Sequence, residues 1–136
     1  MKKAMILTLV LAMAVLLAAC GGAKLAEIYD EDQVTARAKE AVDVINTLDY
    51  EAMTALMRED LRDQLTAEAL QEAWDPLLSE SGAFEEYKSV TVVGQKSQST
   101  GEDYAVAVVV CRYENATRTF TLSMDENLDL VGMYMK

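Results

Sequence analysis

The residues of this chain that could do acid–base chemistry are carboxylates and tyrosines, because the sequence contains no histidine. The absence of histidine excludes Ser-His-Asp and Cys-His nucleophilic catalysis and histidine metal ligands. A pocket enzyme of the hydrolase or isomerase type could still use Asp with Tyr, but it needs a buried carboxylate. Asp103, Asp125 and Asp129 all fall at or near predicted turns, where solvated side chains are expected. We therefore predict no catalytic residue, and the pocket enzyme remains an alternative hypothesis.

One short run of acidic residues has the spacing of a metal site. Asp125-x-Asn127-x-Asp129 matches the first three ligand positions of an EF-hand calcium loop. The match then fails, because Leu130 stands where the loop needs Gly and Lys136 stands where it needs Glu. We predict a turn here, no metal ligand and no cofactor.

Four residues are candidates for contacts with a ligand: Trp74, Tyr104, Arg112 and Phe120. Trp74 could stack on a flat ligand, or it could anchor the core from the apolar face of its helix. Arg112 follows a run of apolar strand residues. It could bind an anion, or it could reach solvent or pair with an acidic neighbour.

Cys111 is the cysteine of the predicted globular part, and it lies at the end of an apolar run that begins at Ala105. A catalytic thiol needs an activating base, and histidine is absent. We predict that Cys111 is a small buried side chain.

The first twenty residues have the pattern of a secretion signal. Lys2 and Lys3 precede an apolar stretch, 4–19, in which Thr8 is the one polar residue. This stretch is shorter than the roughly 20 residues that span a bilayer, and it fits the apolar core of a signal peptide. An uncleaved N-terminal membrane helix is the alternative.

The signal ends in Leu17-Ala18-Ala19-Cys20, which resembles the bacterial lipobox. The resemblance implies that the signal peptidase recognises Leu17, Ala18 and Ala19 and that Cys20 carries the lipid. Two acyl chains would anchor the protein stably. We expect a signal peptide over 1–19, a lipidated Cys20 with a flexible tether over 20–30, and a single domain over 31–136. The protein would then sit on the extracytoplasmic face of a bacterial membrane, with the membrane as a partner.

The charge of the chain argues against nucleic acid as a partner. Twelve basic residues stand against 23 acidic residues, a net charge of −11. Phosphate binding needs a basic surface, so nucleic-acid binding is excluded as a leading hypothesis. Anionic membrane surface should also repel the domain, so it would stand off on its tether.

The first half of the domain has helical periodicity. Apolar positions predict a first helix near 31–47, capped by Asp30 or Asp32, and a second from Tyr50 to about Met57, capped by Asp49. Residues 58–65 are ambiguous between helix and loop. A third helix begins at Thr66, with Asp75-Pro76 predicted to kink it or restart a turn and Gly82 to end it in a left-handed conformation.

The second half changes to strand periodicity, with four strands predicted over 87–95, 104–113, 117–125 and 128–135. Gly94 is predicted to mark a bulge or bend in the first of these strands. Short turns between strands predict an antiparallel meander, and helices that precede strands predict an α+β fold with the helices packed on the sheet.

The pattern resembles the domain of unknown function 3887, which occurs on lipoproteins of Gram-positive bacteria and is attached to some α/β-hydrolases. The residues that carry the resemblance are the lipobox, the Asp49-Tyr50 helix junction and Gly82-Ala83-Phe84 before the meander. That family is similar to the nuclear-transport-factor-two-like, cystatin-like superfamily. The resemblance implies a curved sheet that wraps a long helix and can leave a pocket between them.

These observations lead to three hypotheses of function. The first is a lipid-anchored extracytoplasmic binding or accessory module, whose partner is an unknown small molecule or protein. The second is a structural or interaction lipoprotein that forms a homodimer. The third is the pocket enzyme. Function must be argued from a site, and the sequence alone shows none that is catalytic.

Overall fold

The computed structural model describes residues 24–136. The predicted signal peptide 1–19, with Leu17, Ala18 and Ala19, the lipidation site Cys20 and residues 21–23 lie outside the described residues.

Helices come first in the described chain, and strands follow. The helices are α1 (Glu31–Asn46), α2 (Tyr50–Ala55), a 3-10 helix (Glu59–Gln64) and α3 (Ala67–Ser81). The strands are β1 (Phe84–Lys96), β2 (Asp103–Tyr113), β3 (Thr117–Met124) and β4 (Leu130–Met135). The sheet is antiparallel in the order β1-β2-β3-β4. The predicted α+β fold with a four-stranded meander is therefore confirmed.

Three α-helices begin at residues whose side chains cap them. The carboxylate of Asp30 accepts hydrogen bonds from the backbone N–H groups of Asp32 and Gln33, at the start of α1. Asp49 and Thr66 accept equivalent bonds at the starts of α2 and α3. These bonds satisfy N–H groups that have no partner within the helix, which explains why the helices begin where the sequence predicted.

The core lies between one face of the sheet and the helices. Val34, Ala38, Ala41, Val42 and Ile45 of α1 are buried together with the inward side chains of β2 and β3. Those inward side chains are Ala105, Ala107, Val109, Cys111, Phe120, Leu122 and Met124. Alternation along β3 confirms the prediction that Phe120, Leu122 and Met124 share one face.

One local prediction from proline is settled in part, and one from glycine is wrong. Helix α3 runs without a break through Pro76, so no turn restarts at Asp75, while the kink predicted at Asp75 stays a prediction. Gly94 pairs regularly with Ala105, and the register shifts of β1 fall instead between Phe84 and Ser89. A glycine is needed at 94 because an added Cβ would lie 2.3 Å from the carbonyl oxygen of Lys24. A close backbone approach, and not a bulge, explains this glycine.

Candidate binding cleft

A cleft of about 490 Å³ opens at one end of the sheet. Two turns meet there, the one that joins β1 to β2 and the one that joins β3 to β4. The lining residues are Ile28, Arg58, Gly101, Glu102, Asp103, Tyr104, Asp125, Glu126 and Asn127. Five of these nine are charged, so the cleft suits a polar ligand better than an apolar one.

Hydrogen bonds of both its backbone and its side chain hold Arg58 at the cleft. The backbone N–H of Arg58 donates to the carbonyl oxygen of Leu130 at 2.7 Å. The N–H of Leu130 donates in turn to the carbonyl oxygen of Leu56 at 3.1 Å. The pair forms an isolated parallel bridge between Met57 and Leu130. The segment before the 3-10 helix is thus attached to β4, and the direction in which the Arg58 side chain leaves the backbone is determined.

The Arg58 guanidinium faces three carboxylates. Its Nε and Nη2 donate to the two carboxylate oxygens of Asp60 at 2.7 and 3.1 Å, a bidentate pair. Its Nη1 lies 3.5 Å from Oδ2 of Asp125 and 4.0 Å from Oε2 of Glu102. The hydrogen bond with Asp60 raises the pKa of Arg58 and lowers the pKa of Asp60. Both groups therefore keep their charges at neutral pH, and Asp60 helps to hold the Arg58 guanidinium at the cleft.

Asp125 organises the turn between β3 and β4. Only 7% of the residue is exposed. Its Oδ1 accepts hydrogen bonds from the N–H groups of Asn127 and Asp129, both at 3.0 Å. This geometry confirms that Asp125-x-Asn127-x-Asp129 is a turn whose first side chain satisfies its own backbone. Within residues 24–136, no group of Cys, Asp and Glu side chains gathers closely enough to hold a metal ion.

Two tyrosines border the cleft as hydrogen-bond donors. The hydroxyl of Tyr104 donates to Oε2 of Glu102 at 2.8 Å, and this bond, with burial, raises the pKa of Tyr104. The hydroxyl of Tyr29 lies 2.5 Å from the carbonyl oxygen of Asp103 and 3.3 Å from that of Met124. Burial, followed by the charge of Asp125, raises the pKa of Tyr29 to about 12. Both phenols therefore stay protonated at neutral pH.

Ile28, one of the first described residues, lines the cleft, although the sequence predicted residues 20–30 as a flexible tether. Leu25 and Ala26 pack against the core, and Tyr29 is buried. Ile28 points outward, is 64% exposed and lines the cleft. The apolar residues Leu25, Ala26, Ile28 and Tyr29 are the signal that could have revealed this packing. We name residues Lys24–Tyr29 the N-terminal strap.

The four predicted ligand contacts lie in three different places. Trp74 and Phe120 are both buried, with ring centroids 6.1 Å apart, and they pack in the core. Tyr104 lines the cleft. Arg112 lies on β2 near the opposite end from Tyr104, exposed, with its Nε 3.4 Å from Oε1 of Glu85. Of these four, Tyr104 alone belongs to the cleft.

Four cleft residues were not predicted from the sequence: Ile28, Arg58, Glu102 and Glu126. Arg58 stands at the start of a segment that was ambiguous between helix and loop, so its direction could not be predicted. Glu102 and Glu126 stand in turns, where acidic residues are common for reasons of solvation. No local pattern joins these positions, which lie far apart in the sequence.

Tyrosine–carboxylate pairs of the kind that the enzyme hypothesis requires do occur outside the cleft. The hydroxyl of Tyr50 donates to Asp75 at 2.9 Å, and that of Tyr87 donates to Asp43 at 2.8 Å. Burial, together with these bonds, raises the pKa of both tyrosines. Burial also raises the pKa of the Cys111 thiol to about 12. At neutral pH the phenols donate hydrogen bonds and the thiol is un-ionised, so these three groups act as parts of the fold.

Comparison with known proteins now adds a family to this geometry. The model of the family "Protein of unknown function (DUF3887)" matches residues 38–133. The chain belongs to the DUF3887 family. An NMR structure of a protein from Ruminococcus gnavus ATCC 29149 resembles this DUF3887 chain with a TM-score of 0.73 and 28% sequence identity. The similarity covers 82% of this chain and 96% of that one. None of the curated proteins matches the chain.

The family match begins after the strap. Residues 24–30 and the first seven residues of α1, 31–37, precede position 38. The wall of the cleft that contains Ile28 is therefore contributed by a segment outside the part of this DUF3887 chain that matches the family model. None of the helices within residues 24–136 combines the length and the apolar composition that a bilayer span requires.

Proposed function

We propose that the protein is a lipid-anchored extracytoplasmic binding or accessory module, and that the cleft at the end of the sheet is its ligand site. The observation that carries the proposal is the cleft itself, about 490 Å³, whose walls are held by backbone hydrogen bonds on two sides. A preformed concave site reduces the cost of ordering on binding. We also propose that the domain belongs to the nuclear-transport-factor-two-like, cystatin-like superfamily, on the basis of its α+β meander.

The charges of the cleft suggest the chemistry of the ligand. Among the described residues that line it, the acidic ones are Glu102, Asp103, Asp125 and Glu126. The cation among them is Arg58, which is already paired with Asp60. A ligand with an amine or guanidinium group would therefore be attracted, and an anion would be repelled. Ile28 offers an apolar contact at the rim.

Amide chemical shifts measured during a titration test the ligand site. Residues 20–136, the expected mature chain, would be titrated with the dipeptide Lys-Lys and, as a matched control, with Glu-Glu. We expect Lys-Lys to shift the amides of 101–104 and 125–129, and Glu-Glu to shift none of them. The double variant Glu102→Gln with Glu126→Gln should weaken binding, whereas Glu68→Gln with Glu72→Gln on α3 should not. Shifts spread evenly over the acidic surface would contradict a site in the cleft.

The lipobox residues Leu17, Ala18, Ala19 and Cys20 support the proposed anchor. The test is Cys20→Ser in the full chain, followed by fractionation of cells and mass measurement of the protein. We expect the wild type in the membrane fraction with an added diacylglycerol, and the variant without it. A variant that is attached to the membrane as firmly as the wild type would overturn the anchor.

A second candidate function, a homodimeric interaction lipoprotein, is favoured by the outer face of the sheet. The described helices pack on the opposite face, where Phe120 contacts Trp74 of α3. Two rows of uncharged residues cross all four strands on this outer face: Val93, Val106, Ser123 and Gly132, and Thr91, Val108, Thr121 and Tyr134. Val106 is only 1% exposed, and the other residues of the two rows are half-buried or exposed. A chain with a net charge of −11 could meet a second copy there with little repulsion.

Sedimentation velocity distinguishes this second candidate. Val108→Glu places a charge in the middle of the outer face, and Gln71→Glu places the same charge on the exposed surface of α3. If the protein is a dimer through this face, Val108→Glu gives a monomer and Gln71→Glu does not. A wild type that is monomeric at all concentrations would remove the candidate.

A further inference from the structure

The chain enters the domain through the strap, at the same end of the sheet as the cleft. At its beginning, the backbone of Lys24 lies against Gly94, two residues before the end of β1 at Lys96. The contact is so close that a Cβ at 94 would lie 2.3 Å from the Lys24 carbonyl oxygen. At its other end, Ile28 forms part of the cleft wall. The point where the chain enters the domain and the cleft therefore share one end of the molecule.

Tyr29 attaches the strap to two strands at once. Its hydroxyl lies within hydrogen-bond distance of the carbonyl oxygens of Asp103, at the start of β2, and Met124, at the end of β3. Its ring is buried, and the half-buried Leu25 and Ala26 pack against the same core. Both ends of the strap are thus bonded or packed against the sheet, and the strap cannot swing without breaking these contacts.

Covalent geometry limits how far the cleft can lie from the lipid. Five residue steps separate Cys20 from Leu25. They can span at most about 18 Å, half of what a tether extending to residue 30 would allow. The 11 residues of β2 span about 35 Å from the cleft end of the sheet to the opposite end. The tether is therefore too short for the domain to turn its cleft away from the membrane.

We propose that the strap is an orienting device that holds the cleft toward the membrane, so that the cleft samples ligands presented at the membrane surface. This inference rests on the proposed lipid anchor and deepens the proposed binding function. The acidic residues around the cleft keep it from lying against anionic lipid, so the cleft faces the membrane across a narrow gap. Lengthening the tether or detaching the strap from the sheet would allow the domain to turn, and the cleft would no longer face the membrane preferentially.

Energy transfer from the domain to the bilayer measures the orientation. Replacing Glu126, at the cleft end, or Thr117, at the opposite end of β3, with p-azidophenylalanine gives two exposed sites for a donor dye. Cys20 of residues 20–136 is coupled to a maleimide lipid in phosphatidylcholine vesicles that carry an acceptor dye on their headgroups. Cys111 is buried and does not compete for the coupling. We expect transfer from position 126 to be at least about twofold more efficient than from position 117.

Two further variants show whether the strap causes the difference. An insertion of a dozen Gly and Ser residues between Gly21 and Gly22 lengthens the tether without touching the described domain. Tyr29→Ala removes the bonds of the strap to both strands. We expect both changes to bring the transfer from 126 and 117 close to each other. Equal transfer in the unmodified chain, or a difference that survives the insertion, would overturn the orienting role.

Failure of the proposed anchor is distinguishable from failure of the strap. The maleimide lipid supplies the anchor chemically, so the orientation is measured whether or not cells attach a lipid. Absence of an added diacylglycerol on Cys20 in cells would overturn the anchor, and equal transfer in the vesicles would overturn the strap.

Discussion

At the scale of single residues, two positions require glycine for different reasons, and only one of the two reasons can be recognised from the local sequence. The sequence predicted Gly82 as the end of α3, and it has φ +79° and ψ −156°, a conformation that other residues rarely adopt. Gly94 lies in regular strand, and the need for glycine comes from Lys24, which is 70 residues away in the sequence. A local pattern can predict the first kind of glycine, because the reason lies in the residue's own dihedral angles. It cannot predict the second kind.

Gly82→Ala should lower the free energy of unfolding by about 1–3 kcal/mol, because a Cβ adds backbone strain and would lie 2.9 Å from Cβ of Glu114. Gly132→Ala is the matched control, since its Cβ would meet Ser123 at an ordinary 3.6 Å. Urea unfolding of both variants measures the difference. Equal stabilities of the two variants would contradict the strain at Gly82.

Tyr29 makes stability depend on alkaline pH. Its pKa is raised from 10.0 to about 12 in the folded chain, so folding favours the protonated phenol. The stability from this group is complete below pH 10 and is lost as the pH rises through 12. Tyr50, Tyr87 and Tyr113 also have raised pKa values and add to the loss.

The contribution of Tyr29 is isolated by comparison with Tyr29→Phe. We expect the wild type to lose more unfolding free energy between pH 10 and pH 12 than the variant loses. Urea unfolding at a series of pH values measures it. Parallel curves for the two proteins would show that the Tyr29 hydroxyl does not carry this dependence.

Aromatic residues show the limit of site prediction from composition. Trp74, Tyr104 and Phe120 were proposed together because large aromatic side chains line pockets and cores alike. The structure places Trp74 and Phe120 against each other in the core and Tyr104 at the cleft. Phe120 lies in the core because α3 packs on its face of the sheet, where Trp74 meets it. The identity of a single aromatic residue does not show whether it will lie in such a contact or at a cleft.

At the scale of elements, capping residues and alternation of apolar residues predicted the bounds of helices and strands where those bounds have a local cause. Asp49 and Thr66 begin helices because their side chains accept hydrogen bonds from backbone groups three residues later. The bounds of β1 were less predictable, because Glu85 and Lys88 interrupt the alternation where the register shifts. No local signal predicts that the helix continues unbroken on both sides of Pro76, because proline removes a backbone hydrogen bond from the helix interior.

The turn between β3 and β4 should depend on the oxygens of Asp125 more than on its charge. Asp125→Asn keeps an oxygen that can accept the N–H bonds of Asn127 and Asp129, whereas Asp125→Ala leaves both N–H groups without it. We expect the Ala variant to be less stable than the Asn variant by about 1–3 kcal/mol in urea unfolding. If the two variants are equally unstable, the pairing with Arg58 is the dominant contact of Asp125.

At the scale of the whole molecule, the cleft is assembled from parts that are remote in sequence. Ile28 belongs to the strap, Arg58 to the segment bonded to β4, and Glu102 and Glu126 to two turns. The sequence predicted the helices, the meander and the family resemblance, because each depends on patterns within one segment. The cleft depends on how those segments meet, so the structure was needed to find it.

The strap should belong to the stable domain. A chain that begins at Asp30 keeps the cap of α1 and loses Leu25, Ala26 and Tyr29, which pack on the core. We expect its free energy of unfolding to fall by about 3 kcal/mol or more relative to a chain that begins at Lys24, because a large buried aromatic side chain is lost. Urea unfolding of the two chains measures the fall, and equal midpoints would show that the strap adds no stability.

The two carbonyl groups next to the Tyr29 hydroxyl belong to residues 74 and 95 positions later in the chain. Within the sheet, each strand pairs with the strands that are its neighbours in sequence, so the meander can form as each strand arrives. The strap therefore reaches its place only after almost all of the chain has been synthesised. On the proposed secretion route, the Tyr29 hydroxyl would therefore have neither of its two carbonyl partners until β2 and β3 have also been exported.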